Sequence, residues 1–437
     1  MTVTSPTLGF EAAAFEEFLA SRREPAWVTE MRKAAYQAFL EKEWPNRRAE
    51  EWIRTDIRLL KIEKYAAPGE STITGEVPKA LLSDGVQLGG STTALNGRAT
   101  ESRLEKKWAS KGVLFGSLEE VLTEHGDILR PHLEKRIVDV NYDKFSALHG
   151  AFWSGGHVLY VPRGVVVNEP LHFFSAMSNG GSDFCHTLVV LEEGAEATVM
   201  AETLSNHHED DGFHCGATEL SVAQGAHLRF VNLQDWGHNV WHFAHQQANV
   251  GRDASLQWTI AALGSRLAKV NQQVALTGDG AESQVNGVLF TEGKQHVAYH
   301  TLQHHIAGHC RSDFLYKAAL QDKSRTVWRG MIKVDKNAQK TDGYQRNDNL
   351  LLSTSARADS IPGLEIEADD VRCTHGSTTG KVDEELVFYA QCRGFTRKEA
   401  VRLIVTGFFQ QVFDRITIDS VRDALAGAIA RRVRDYK

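Results

Sequence analysis

Glu193-Gly194-Ala195-Glu196-Ala197-Thr198, Gln224-Gly225-Ala226-His227-Leu228-Arg229 and Gly251-Arg252-Asp253-Ala254-Ser255-Leu256-Gln257 are three versions of one unit. Each opens on a glycine turn and continues with apolar and polar residues in alternation, the period-two signature of a strand. The units recur at spacings of roughly thirty residues, the size of one coil in a stacked repeat whose core is shared between neighbours. Similar short runs lie around them: His157–Pro162, Thr187–Leu191, Ala197–Met200, Glu219–Val222 and His227–Val231, with Gly164, Gly194, Gly225, Gly251, Gly278 and Gly280 between. No helical periodicity interrupts the series. Many short strands fit a solenoid, a sandwich or a barrel. The stretch from about Asn141 to Thr379 is large for one sandwich, and with the recurring units this favours a solenoid.

Helical patterns flank this body. Phe15, Phe18 and Leu19, then Trp27, Met31, Ala34, Ala35 and Phe39, recur at three- and four-residue steps between Phe10 and Trp52, with Pro25 and Pro45 as breaks. One more short element is expected at Glu50–Asp56. Residues from about Ala66 to Gly97 are rich in Gly, Ser and Thr and read as a loose connection. Leu118, Val121, Leu122, Ile128 and Leu129 then mark a helix within Trp108–His132. After Glu384, Thr396-Arg397-Lys398-Glu399 is a capping box. Val401, Ile404, Val405, Phe408, Phe409, Val412 and Phe413 form an apolar stripe, and a last helix is expected over about Ser420–Val433. The stripe could pack on the β body or receive a partner helix. The expected domains are 1–75 (helical), 76–140 (connection with a helix), 141–379 (β core) and 380–437 (helical).

The chemistry concentrates at Val371–Lys381, Val-Arg-Cys-Thr-His-Gly-Ser-Thr-Thr-Gly-Lys. In extended backbone Cys373 and His375 point to one face. A thiol and an imidazole are ligands for zinc, iron or an iron–sulphur cluster. A buried free cysteine beside a turn histidine is the competing reading. Gly376–Lys381 imitates a phosphate loop, but has three residues between its glycines rather than four and Val382 after the lysine. No better match occurs elsewhere, so no nucleotide hydrolysis is expected of this chain. His296, His300, His304, His305 and His309, followed by Cys310, could bind metal or simply pack in the core. His207–Asp211 and the dispersed Lys317, Lys333, Lys336 and Lys340 are expected on solvated surfaces. The zinc-protease H-E-x-x-H, any His-x-His pair and the G-x-S-x-G elbow do not occur.

Over 437 residues, 24% charged and 42% hydrophobic, the chain has an ordinary globular balance. Its net charge of −7 offers no general attraction to nucleic acid or anionic membrane. No apolar run nears the roughly 18 residues of a membrane span, and Met1–Pro6 lacks a signal pattern, so a cytoplasmic location is expected. Five widely spaced cysteines without C-x-x-C argue against a disulfide framework. They also argue against a cluster ligated by this chain alone.

Seven segments together carry a resemblance: Arg48–Trp52, Ala151–Gly156 leading to Tyr160–Val165, Trp328–Val334, Ala338–Gln345, Cys373–Gly376, Leu386–Tyr389 and Arg393-Gly394. Across most of its length the chain resembles the SufB/SufD family of the Suf system, which builds iron–sulphur clusters. The resemblance implies a right-handed parallel β-helix flanked by N- and C-terminal helical domains. It implies a non-catalytic scaffold that pairs with a SufB-like paralogue through the β-helices and docks a SufC-like ABC ATPase through the C-terminal helices. It also implies a transient iron–sulphur cluster or iron shared with SufB, with no nucleotide held by this chain. SufB-like chains carry a cysteine in a Gln-Cys-Asp-Ser-Leu-Leu segment, where this chain has Asn347 in Arg346–Leu351, and Glu-His-Glu where it has Cys373-Thr374-His375. The pattern is SufD-like. It makes His375 the main expected ligand for iron or the nascent cluster and Cys373 the second, with a homodimer a poor scaffold. Two other classes stay open: a carbohydrate-active β-helix enzyme, disfavoured by the cysteines and the missing signal pattern, and a purely structural docking subunit.

Overall fold

The computed structural model describes residues 8–67, 78–206 and 210–433. Two ten-stranded sheets face each other and are wound as one solenoid of about eight coils. The chain alternates between them, so strands adjacent in one sheet are one coil apart in sequence. In the first sheet the strands starting at Glu196, His227, Ser255, Glu282, Arg311, Asp342 and Arg372 pair in parallel, each first residue opposite the next. The steps of 27–31 residues match the periodicity of the quoted units. Among the paired strands of the described residues, the hairpin Gly90–Leu95/Arg98–Leu104 and the pair Leu114–Ser117/Gly155–Val161 are the antiparallel ones. Both lie at the N-terminal end, where reversal of direction closes the stack against further addition.

One corner explains the glycine punctuation. Gly164, Gly194, Gly225, Asp253, Gly280, His309 and Lys340 each stand two residues before the first-sheet register line, and all have φ between +51° and +75°. Each donates its N–H to a carbonyl of the next coil, at Glu193, Gln224, Arg252, Asp279, Gly308, Gln339 and Asp370, over 2.7–3.2 Å. The left-handed conformation aims these N–H groups along the solenoid axis. Glycine enters it without steric cost; Asp253, His309 and Lys340 hold it in the other coils, which is why glycine spacing alone misses the corner at Asp253 and loses it after Gly280.

The lumen between the sheets is filled by inward residues such as Leu171, Val199, Leu228, Phe230, Leu256, Trp258, Val285 and Phe314 from the first sheet. Val189, Leu220, Val270 and Val274 come from the second. Helices cover both outer faces. Ala12–Ala20, Ala26–Glu41 and Lys144–Phe152 pack Phe15, Phe18, Tyr36, Phe39 and Phe152 against Phe213 and Phe243 of the second sheet. Leu118–Glu134 adds a second cluster there. Arg397–Phe413 and Asp419–Arg432 lay Val401, Val405, Phe409, Val412, Phe413, Leu425 and Ile429 on the outer face of the first sheet. The capping box at Thr396 and Glu399 forms as expected.

Three expectations are revised. The stretch read as a loose connection contributes the first-sheet hairpin from Gly90; its residues 68–77 lie outside the described ones. Glu50–Asp56 is a run of turns rather than a helical element. Lys144–Phe152, inside the stretch read as all β, is a helix with its own capping box from Asp143 and Ser146, a motif too short to register as periodicity. Among the described residues no helix is long and apolar enough to cross a membrane.

Candidate functional site at the open end of the solenoid

Arg372–Lys381 is the last strand of the first sheet and Arg357–Ile366 the last of the second. Among the described residues no coil stacks above them; Arg372–Lys381 is largely solvent-exposed and Arg357–Ile366 is half-buried to exposed. Parallel register places Cys373 over Gly343, His375 over Gln345 and Ser377 over Asn347. Gln345 is fully buried and reaches across the lumen, its Nε2 donating to the Gly363 carbonyl at 2.9 Å. Side chains one rung apart point the same way, about 4.8 Å apart. Cys373 and His375 therefore both stand on the lumen side, at the uncovered end of the solenoid.

The two differ in depth. Cys373 is half-buried and packs with Ile332, Val334, Ala338 and Ala368. A Cβ on Gly343 would lie 3.2 Å from its Sγ, so the glycine leaves room for the thiol. Burial pushes the thiol pKa up, so Cys373 is a thiol in the isolated chain and needs a cation beside it to become a thiolate. His375 is exposed. Asn347 is buried beneath Ser377, where its amide donates to the Tyr316 carbonyl at 3.4 Å and accepts from Asn349 Nδ2 at 2.8 Å. Among the described residues no three His, Cys, Asp or Glu side chains converge as a metal set. Cys373 and His375 thus supply at most part of a ligand set.

The histidine run does not form a centre. His296 meets the Thr55 hydroxyl at 3.2 Å and His304 meets Asp335 at 2.9 Å on the outer face, while His305 turns inward to Ser312 at 2.8 Å and His309 occupies the left-handed corner. Alternation separates what sequence proximity joins. Lys317 is not on a solvated face: the C-terminal helices cover it, and it donates to the Phe408 carbonyl at 3.0 Å with Asp348 3.6 Å away. Of the expected surface loop His207–Asp211, residues 207–209 lie outside the described ones.

Two family descriptions match the chain: "SufBD protein N-terminal region" over residues 15–173 and "SUF system FeS cluster assembly, SufBD core domain" over residues 173–408. The chain belongs to the SufBD family. An iron–sulphur cluster assembly SufBD family protein of Staphylococcus epidermidis is 26% identical over 404 residues, 89% of this chain and 86% of its own. A Staphylococcus aureus SufBD family protein is 24% identical over the same length. The iron–sulphur cluster assembly protein SufB of Bacillus subtilis is 25% identical over 418 residues, 92% of this chain and 88% of the relative. This SufBD-family chain therefore has an iron–sulphur cluster assembly role.

A second feature adjoins the open end and was only half legible in the sequence. The chain runs from Lys381 straight into helix Glu384–Cys392, which buries Val387 but leaves Leu386, Phe388 and Tyr389 exposed; Phe395 and Leu403 join them from the next turn and helix. The aromatic stripe of the tail thus divides between one face seated on the first sheet and a smaller one left bare.

Proposed function

We propose that this chain is a SufD-like scaffold subunit of a SufB–SufC–SufD complex, contributing His375 and Cys373 as partial ligands to an iron–sulphur cluster whose remaining ligands come from a SufB-like paralogue. The observation that carries the proposal is the open last coil, with a thiol and an imidazole facing the lumen side and nothing stacked on them. A second β-helix abutting this end would enclose both groups and bring the remaining ligands, and the iron itself would supply the positive charge that turns the Cys373 thiol into a thiolate ligand. Iron and sulphide are cargo in this scheme rather than resident cofactors. Asn347 leaves this chain without a thiol at the position where SufB-like chains carry one, so a homodimer would be an inferior scaffold. The exposed Leu386, Phe388 and Tyr389 are the surface for a SufC-like ATPase. Because that helix continues directly from the strand bearing His375, nucleotide-driven movement of the ATPase would pull on the open end.

The competing reading is a purely structural docking subunit, favoured by the packing of Cys373 among Ile332, Val334 and Ala368. The two are separated in the assembled complex, after anaerobic purification and identification of the co-purifying subunits. His375→Ala, at an exposed site, should leave assembly of the complex intact and lower the yield of cluster severalfold. An unchanged yield would assign this end a docking role only.

A further inference from the structure

A cavity of about 40 Å³ lies away from the open end, between the N-terminal helices and the outer face of the second sheet. Its floor is His186, Ala217 and Glu219; its walls include Val28, Leu133, Val138, Val140 and Trp153; Trp27, Met31 and Arg136 form its half-buried outer members. His186 and Glu219 lie on the same face of neighbouring strands, on a diagonal set by the pairs His186↔Ala217 and Leu188↔Glu219. That diagonal puts their Cβ atoms about 7 Å apart, within reach of long side chains. Both residues are more than nine-tenths buried and line the cavity, and each has a buried atom without a hydrogen-bond partner: His186 Nε2 and Glu219 Oε2.

The identity of the His186 atom follows from its neighbours. His149 Nδ1 lies 2.8 Å from the Cys215 carbonyl oxygen, which can only accept, so Nδ1 carries the proton. His149 Nε2 is then bare and accepts from His186 Nδ1 at 3.1 Å. His186 Nε2 is left as a lone pair in a fixed direction. Burial lowers the basicity of both imidazoles, so neither carries a second proton at neutral pH. Glu219 uses Oε1 to accept from the Val138 N–H at 3.3 Å, leaving Oε2 as a second acceptor. The cavity therefore presents two acceptors on its floor, hydrocarbon on most of its walls, and at its outer rim the Arg136 guanidinium, which is engaged with the Met31 carbonyl at 3.2 Å.

We propose that this cavity is a binding site for a primary alkylammonium group. The ammonium donates to Glu219 Oε2 and His186 Nε2, and the attached carbons lie against Val28, Met31, Leu133 and Val138. A metal ion fits less well, because the water needed to complete its coordination would face apolar walls. Such a group could belong to a free short amine or to a lysine side chain of a partner. Neither source needs the Cys373–His375 end.

The test is calorimetric titration of the whole chain with n-propylammonium at pH 8, above the value of about 7 to which burial raises the Glu219 carboxyl, against 1-propanol as neutral isostere. For so few heavy atoms a Kd on the order of millimolar is expected, at least tenfold tighter than for 1-propanol and weakened at least tenfold by Glu219→Gln. Equal binding of amine and alcohol, no loss in Glu219→Gln, or only water in the cavity of crystals soaked in the amine would overturn the proposal. The wild-type comparison stands if the variant does not fold. Nα-acetyl-lysine methylamide distinguishes the sources: binding at least as tight as n-propylammonium supports a partner lysine, and exclusion with retained n-propylammonium binding supports a free amine.

Discussion

Truncation of the bare aromatic patch should separate docking from stability. Phe388 is 68% exposed and Leu386 53%, on the helix that leaves the open end. Because solvent already reaches most of each side chain, Phe388→Ala should change folding stability by less than about 0.5 kcal/mol. Covering such a residue in an interface is worth about 1.5–2 kcal/mol, so its loss should weaken binding of a SufC-like ATPase by roughly ten- to thirtyfold. Leu386→Ala combined with Phe388→Ala should weaken it further; the pair lie two residues apart, so strict additivity is not expected. Phe409→Ala supplies the contrast. Its ring is fully buried among Val405, Val412 and Phe413, and its removal should cost about 3–5 kcal/mol of stability. The assay is titration calorimetry with the purified ATPase subunit beside a thermal melt of each variant. Parent-like affinity in the double variant, with an unchanged melt, would refute the assignment of this helix as the docking surface.

The corner stack predicts that Gly194→Ala costs about 1 kcal/mol by backbone strain alone, since no atom lies within 4 Å of the added Cβ at φ +67°; chemical denaturation reads it, and a neutral result would remove the role given to the turn. Burial holds His305, His186 and His296 at pKa values of about 4, and His157 at about 3. Each is neutral in the fold and gains its proton near pH 6.5 on unfolding, so stability is full above that pH and falls as pH drops toward 4. The slope is about 1.4 kcal/mol per pH unit for each such group. His305→Gln should flatten the profile by about one proton, and a stability that is level between pH 6.5 and 4 would contradict the argument. In native alkylation followed by mass spectrometry, exposed Cys392 should react first and half-buried Cys373 slowly. Cys185, Cys215 and Cys310 should not react, being buried with thiol pKa values raised by desolvation. Rapid labelling of Cys373 would mean that its hydrophobic seat is not formed.

The sequence by itself determined whatever repeats over a few residues. Alternation at Ala195–Thr198 and Ala226–Arg229, and return of the unit after one coil, are properties of neighbouring residues, so they specify a solenoid strand in any context. The capping box at Thr396 and Glu399 and the common face of Cys373 and His375 are of the same local kind. Tertiary structure decided what covers each strand. Gln345 and His375 occupy equivalent rungs, yet one is sealed and the other open, because a coil stacks over the first and none over the second. Lys317 reads as a surface charge until helix Arg397–Phe413 lies across it. His296 to His309 look like a cluster until alternation and a corner disperse them. Asp253, His309 and Lys340 take over a glycine's role because the hydrogen bond to the next coil rewards a conformation their side chains oppose. The His149–His186 relay and Glu219 meet only because elements 30 to 70 residues apart stack on one sheet face. Such burial depends on contacts between coils and helices, which no short window of sequence contains.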